Sequence, residues 1–396
     1  MDNRTYYGEY SLGYWLHLIC NKNIVLPPYQ RHFVWNKDKV LSLMHALKER
    51  RFVPPITIGA FRRETEVTNY VIDGQQRLTS LLLAYVGKYP CLDKFEPKGM
   101  NLASDVMIDE DSEGEGVDYS REWTFNDILC DGKNTKSDIQ LRCGREQYED
   151  IEETFTEKDL CEIFIGFSYI VPGSRDPKIQ QAFYTREFKD LNTSGATLNA
   201  LESRRSLYFW DSTLTGLFEP EFARFVILRA AHKASKSACL DFVRYLAIMA
   251  DYAKSKNSES VASGWKKNLE GYYFEYICSI VEDKPSNLFV DFKEIFTNRQ
   301  YKDRMDVLKR SVADLEFMRE HQSIIELDVE FFGLVYWVLY ESKKIRGIDV
   351  GELKAKLGQK IKAFRQDVVH AKAPGLLKYL RARVKASCEI YSKYVV

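Results

Sequence analysis

Between Val67 and Tyr85 the chain changes its apolar period, and it does so across five residues, Asp73-Gly74-Gln75-Gln76-Arg77. Upstream, Val67 to Ile72 alternates and is rich in β-branched residues, as a strand requires. Downstream, Leu78, Leu81, Leu82 and Tyr85 repeat at helical spacing. A strand that stops at Asp-Gly and resumes as a helix leaves free backbone N–H groups and the positive end of a helix dipole at the turn. A chain built this way folds into strands and helices in close succession, with a polar set at their junction.

The five side chains suit a phosphate and its metal ion better than a hydrophobic core. Asp73, at the strand end, can bind Mg²⁺ or orient a water. Gly74 permits a tight turn and close approach of a phosphate. Gln75 and Gln76 carry amides that can hold phosphate oxygens or an attacking water, and Arg77 can grip a phosphate with two donors. The plainer alternative is that Asp73 caps the helix while Arg77 points to solvent. Two adjacent glutamines at a helix start stabilise it poorly, which favours the functional reading.

Composition excludes several classes. Lys+Arg and Asp+Glu both number 57, so a nucleic-acid surface must be a local patch and not a global charge bias. None of the eight cysteines forms a CxxC pair or a zinc-finger spacing. Cys20, among Tyr14, Trp15 and Leu16, reads as a packed thiol and not a nucleophile. The start lacks an apolar signal stretch, and the longest apolar run, Phe331 to Tyr340, is interrupted by Gly333 and too short to span a bilayer. These features lead us to expect a reduced, cytoplasmic protein without a membrane segment.

At 396 residues the chain exceeds one typical core. The first half mixes strands (56–61, 67–72, 162–171) with helices (12–21, 36–51, 176–191). From about residue 200 helical patterns take over at 201–209, 222–231, 240–253, 269–281, 301–320, 329–341, 352–366 and 375–394. The expectation is α+β: a mixed N-terminal domain over 1–205, then an all-α domain over 206–396. Asp109 to Asp118, acidic with two glycines, reads as a solvated loop.

Two more polar clusters precede the helical half. In Pro28-Tyr29-Gln30-Arg31-His32-Phe33-Val34-Trp35, aromatic, amide and guanidinium groups can stack a base and bind a phosphate, or form an Arg–aromatic surface lock. In Phe188 to Asn199, Thr193-Ser194-Gly195 is a turn and Asn192 can present its amide to a ligand. Asn199 with Glu202 fits a capping box, which gives Glu202 a structural role.

The strings LPPYQRHFVW, VIDGQQRLTSLLLAY and FKDLNTSGATLNALESRRSLY, in this order, resemble the N-terminal domain of GmrSD-type modification-dependent restriction systems, a group that includes SspE-like phosphorothioate-sensing proteins. The resemblance covers roughly 10–210. It implies a ParB/sulfiredoxin-like core with NTP (GTP or ATP) and Mg²⁺ at the DGQQR site, and hydrolysis coupled to recognition of foreign or modified DNA. It carries a hydrolytic role to Asp73, Gln75, Gln76 and Arg77. Nucleotide contacts pass to Gly74, Tyr29, Gln30, Arg31, Asn192 and Gly195, and the metal to Asp73.

Complete enzymes of this kind carry a C-terminal HNH nuclease, which needs a histidine base and a second His or Asn on its metal. His232, His321 and His370 are scattered with no spaced pair, so cleavage by a separate nuclease or defence partner is expected. From Glu352 to Val396, eleven Lys/Arg face three acids, a net of +8. With Leu377, Leu380, Val384, Cys388 and Tyr391 inward, Lys378, Arg381 and Lys385 would form an outer stripe for DNA backbone. A solvated basic face is the plainer reading of that stripe. Two rival functions stay open: a ParB-like DNA- or partner-binding module without turnover, and a nuclease using Asp73 as metal ligand. A homo-oligomer also stays open.

Overall fold

A computed structural model describes residues 2–27, 32–62, 66–91, 94–95, 102–103, 123–132, 134–144, 146–177, 179–180, 183–184, 187, 200–208, 212–229, 237–265, 269–297 and 301–396. The chain divides into two units, one of residues 1–99 with 119–210, the other of 100–118 with 211–396. The acidic stretch 109–118 lies outside the described residues.

In the first unit, β1 (Arg4–Ser11) runs directly into α1 (Leu12–Cys20), because Ser11 accepts the Tyr14 N–H at 3.3 Å and starts the helix. Asn36 caps α2 (Lys37–Lys48) in the same way. Strands β2 (Ile56–Arg62) and β3 (Val67–Asp73) then form an antiparallel pair, and α3 (Gln75–Val86) follows. After β4 (Lys88–Pro90), the short β5 (Leu102–Ala103) belongs to the second unit. Capping boxes at Thr135 and Thr156 start α4 (Lys136–Arg142) and α5 (Glu157–Glu162), with β6 (Tyr148–Asp150) between them. β7 (Phe164–Val171) completes the sheet, and α6 (Ala200–Tyr208) ends the unit.

The sheet order is β1-β7-β2-β3, with β7 antiparallel to β1 and parallel to β2. One face carries the core: Ile56, Ile58, Val71 and Ile165 meet Leu12, Trp15 and Ile19 of α1, Val40 and Met44 of α2, and Leu78 and Leu82 of α3. The opposite face carries a thinner cluster of Phe61, Ile72, Ile170 and Tyr184. Burying α3 along its length fixes where its first turn stands.

The second unit is helical: α7 (Ser212–Phe218), α8 (Phe242–Ser255), α9 (Glu270–Val281), α10 (Phe292–Ile295), α11 (Lys302–Asp314), α12 (Ile324–Val335), α13 (Val350–Gln366), α14 (Val368–Lys372) and α15 (Leu377–Tyr391). It also holds a small sheet, made by β5 with β8 (Ile227–Arg229), β9 (Ser237–Leu240) and β10 (Glu320–His321), in the order β10-β8-β9-β5. The helix expected at 222–231 is therefore a short 3₁₀ turn, Glu221–Phe225, followed by a strand. The backbone at Ile227 donates to Arg319 O at 3.0 Å, so a partner remote in sequence overrides the local pattern.

Gly333, which interrupts the apolar run, has a packing reason. Ser387 of α15 inserts its hydroxyl into the α12 ladder, donating to Val329 O and accepting the Gly333 N–H, both at 2.7 Å. A Cβ at 333 would lie 2.6 Å from Ser387 O. The helix then widens into a π-turn over Tyr336–Tyr340.

Candidate functional site

The strand-to-helix junction is set by a register shift. Thr57 opposes Asp73 while Ile58 opposes Val71, which leaves Ile72 as the extra residue of a bulge at the strand end. Gly74 follows with φ +97°, a left-handed conformation that strains any residue with a Cβ. A Cβ there would also meet Ile56 Cδ1 at 2.5 Å. Glycine is needed for both conformation and space. Among the described residues no side chain caps α3, and its first internal bond runs from Leu78 N–H to Gly74 O at 3.0 Å. The N–H groups of Gln75, Gln76 and Arg77 thus have no partner within the helix.

Around this turn the side chains are unequally committed. Arg77 Nη2 donates to Asp73 Oδ2 at 2.6 Å, and Nη1 donates to Pro54 O. The Arg77 side chain is 11% exposed and that of Asp73 39%, so the pair lies at the surface with the carboxylate outward. No described residue holds Asp73 Oδ1. Gln76 is fully engaged: Nε2 donates to His32 O at 2.9 Å while Oε1 accepts the Val34 N–H at 3.0 Å. Its amide clamps the segment just after Tyr29-Gln30-Arg31 onto the first turn of α3, which corrects the expectation of an amide free for ligand. Gln75 is 3% exposed and, among the described residues, its Nε2 has no partner; one helical turn on, Thr79 Oγ1 is equally buried and likewise without a partner among them.

Tyr29, Gln30, Arg31, Asn192 and Gly195 lie outside the described residues. Of the α15 cations, Lys378 and Lys385 are exposed as expected, but Arg381 is half-buried with Nε donating to Val261 O at 2.9 Å. Arg381 is a tether between elements of the second unit and not part of a free stripe. Among the described residues no group of three His, Cys, Asp or Glu stands ready to hold a metal, and no helix is long and apolar enough to cross a membrane. Burial pushes the Cys20 thiol pKa up, against a smaller opposing pull from Arg142, as a packed thiol requires.

A cavity of about 680 Å³ in the first unit is a feature that sequence reading missed; Tyr6, Tyr10, Tyr14, Phe167, Tyr169 and Lys22 line it. Its available signal was the alternation Tyr6-Gly8-Tyr10, read from an exposed strand.

Sheet, bulged strand end and uncapped helix start define an α+β domain with a polar turn at the head of its central helix. Residues 16–209 match the family described as GmrSD restriction endonuclease, N-terminal domain; this half of the chain is a domain of that family, and it ties the protein to a restriction-type defence system. No curated protein and no solved structure matches the chain.

Proposed function

We propose that the turn at the start of α3 binds the polyphosphate of an NTP and hydrolyses it, as the sensing component of a restriction system whose cleavage is done by a separate nuclease. The observation that carries this reading is the start of α3, which no described side chain caps, with the Arg77 guanidinium over it and, at its first residue, a buried Gln75 donor without a partner among the described residues. Backbone N–H groups and a helix dipole favour an anion there, and Gly74 lets it approach closely.

The donor set fits Mg²⁺, which binds through one or two carboxylates plus substrate phosphates and water. Asp73 Oδ1 would hold the ion, whose charge would offset that developing on the phosphoryl oxygens. Arg77 would exchange its bond to Asp73 for one to phosphate. That exchange frees the carboxylate at the moment it is needed. Gln75 would donate to a phosphate oxygen or an attacking water, while Gln76 keeps residues 32–34 seated.

Thermal shift and phosphate release with ATP and GTP, each with Mg²⁺, test this on wild type and Arg77→Ala. A nucleotide at a hundred times its Kd stabilises the protein by about 2.7 kcal/mol. Arg77→Ala should lose most of that shift and at least tenfold in turnover. Folded wild type that neither shifts nor releases phosphate with any NTP would remove the reading.

A further inference from the structure

Of the eleven cations between Glu352 and Val396, two are spent on carboxylates: Lys354 on Glu316, and Arg383 on buried Asp328. The other nine make no ion pair among the described residues. Pairing is commoner in the first unit, where Lys22, Lys37, Lys48, Arg50, Arg51 and Lys88 each pair with a carboxylate, although Lys39, Lys94 and Lys136 make no ion pair among the described residues. The unpaired cations are not spread evenly. A groove of about 340 Å³ runs between α13 and α15, lined by Lys356, Gln359 and Lys360 on one wall and Glu389, Lys393 and Tyr394 on the other.

Lys356 and Lys360 stand at i, i+4, so they repel each other on one helix face, an arrangement that costs helix stability unless something anionic lies between them. About 6 Å of helix rise separates them, at 1.5 Å per residue. Glu389, the one carboxylate in the lining, pairs with none of the three lysines. The wall bearing Lys393 is held firmly: Tyr394 Oη donates to Glu352 Oε1 at 3.0 Å, and Val396 and Lys344 exchange backbone bonds of 2.9 and 3.1 Å. Lys360 Nζ also sits 4.6 Å from the Phe364 ring centroid, a cation–π contact on its own helix.

We infer that the groove between α13 and α15 seats the phosphate backbone of a nucleic-acid duplex, with Lys356, Lys360 and Lys393 as the contacting cations. A concave channel with lysines on both walls fits a ridge of phosphates and not a flat lipid surface. Single-strand sites interleave cations with open aromatic faces. Here the one aromatic in the lining, Tyr394, is buried and engaged, so unstacked bases have no platform. The site lies outside residues 16–209 and shares no residue with the α3 turn, so its failure would leave the nucleotide reading standing.

The experiment is fluorescence anisotropy of the full chain with a labelled 20-bp DNA duplex, from 50 to 200 mM salt. Wild type should bind, more weakly as salt rises, and better than it binds a single strand of equal length. The variant Lys356→Ala/Lys360→Ala/Lys393→Ala should bind at least tenfold more weakly at 50 mM. Its slope of log K against log salt should fall by about 2 to 3, at about 0.9 per phosphate lost. Its unfolding midpoint should not fall, and Lys362→Ala/Lys372→Ala, outside the groove, should keep most of the affinity. The inference is overturned if wild type ignores the duplex, if the triple variant binds as wild type does, or if vesicles of anionic lipid are bound in place of DNA.

Discussion

Each unit contains an arginine–aspartate pair, and the two could hardly be finished more differently. Asp328, at 0% exposure, receives Arg244 on both oxygens (Nη2 at 2.9 Å), Tyr245 Oη at 2.9 Å and Arg383 Nε at 2.8 Å. Arg383 completes its own set with Pro374 O at 2.8 Å and His370 Nε2 at 2.9 Å. Burial alone would raise the Asp328 pKa, but the two guanidiniums outweigh it and hold the carboxylate below its ordinary range. At the α3 turn, Arg77 and Asp73 share one 2.6 Å contact at the surface, above Gln75 Nε2 and Thr79 Oγ1, which have no partner among the described residues. A closed network of buried charges is scaffold. A half-closed pair over idle donors is what the proposed anion site would require.

The contrast breaks most easily at the buried end. Asp328→Ala would leave Arg244 and Arg383 buried without their carboxylate, and the second unit should lose about 3–5 kcal/mol in urea unfolding. A loss under about 1 kcal/mol would mean that the network is not what holds α8, α12 and α15 together. The next effect is on pH. Burial first, then the charge of Arg383, lowers the His370 pKa to about 4, although Asp367 and Asp328 pull the other way and Lys360 adds to the lowering. Arg383 donates to Nε2, so that nitrogen must be unprotonated. Between pH 6.5 and about 4 the unfolded chain therefore binds a proton that the folded chain refuses, and stability falls as pH falls through that window. At 1.36 kcal/mol per unit, the loss approaches roughly 3 kcal/mol at the acid end. Comparing unfolding midpoints of wild type and His370→Gln over this range isolates it; parallel profiles would show that the histidine is not the sensor.

What the sequence could disclose follows the same division between local and remote. The strand–turn–helix at 67–86 was readable because the change of period, the Asp-Gly stop and the uncapped start are all encoded within twenty residues. Strand β1 was not, since this exposed edge strand sets Tyr6, Tyr7 and Tyr10 among polar residues and a glycine and gives no apolar alternation. Strand β8 was hidden because it is three residues long and one of its two partners, β10, arrives far later in the chain. Helical spacing put Arg381 on an outer stripe, but Val261 O claims its guanidinium; Arg383, two residues on, is claimed by Asp328. Likewise nothing local announces that Gln76 holds residues 32–34. Spacing tells which face a residue occupies, and only the tertiary fold decides what its polar atoms meet.

The smallest effect gives the sharpest test of the surface end. Thr79 is fully buried on the same face of α3 as Gln75, one turn further in, and its hydroxyl has no partner among the described residues. An unbonded buried hydroxyl carries a desolvation penalty of about 1–3 kcal/mol, and valine preserves the shape without it. Thr79→Val should therefore raise the stability of the nucleotide-free protein by about 1 kcal/mol, read as a rise in the midpoint of thermal unfolding. A fall of the same size would mean that the hydroxyl already holds a bound water or another group. The α3 turn would then be as complete as the Asp328 network, and the difference between the two pairs would be one of exposure alone.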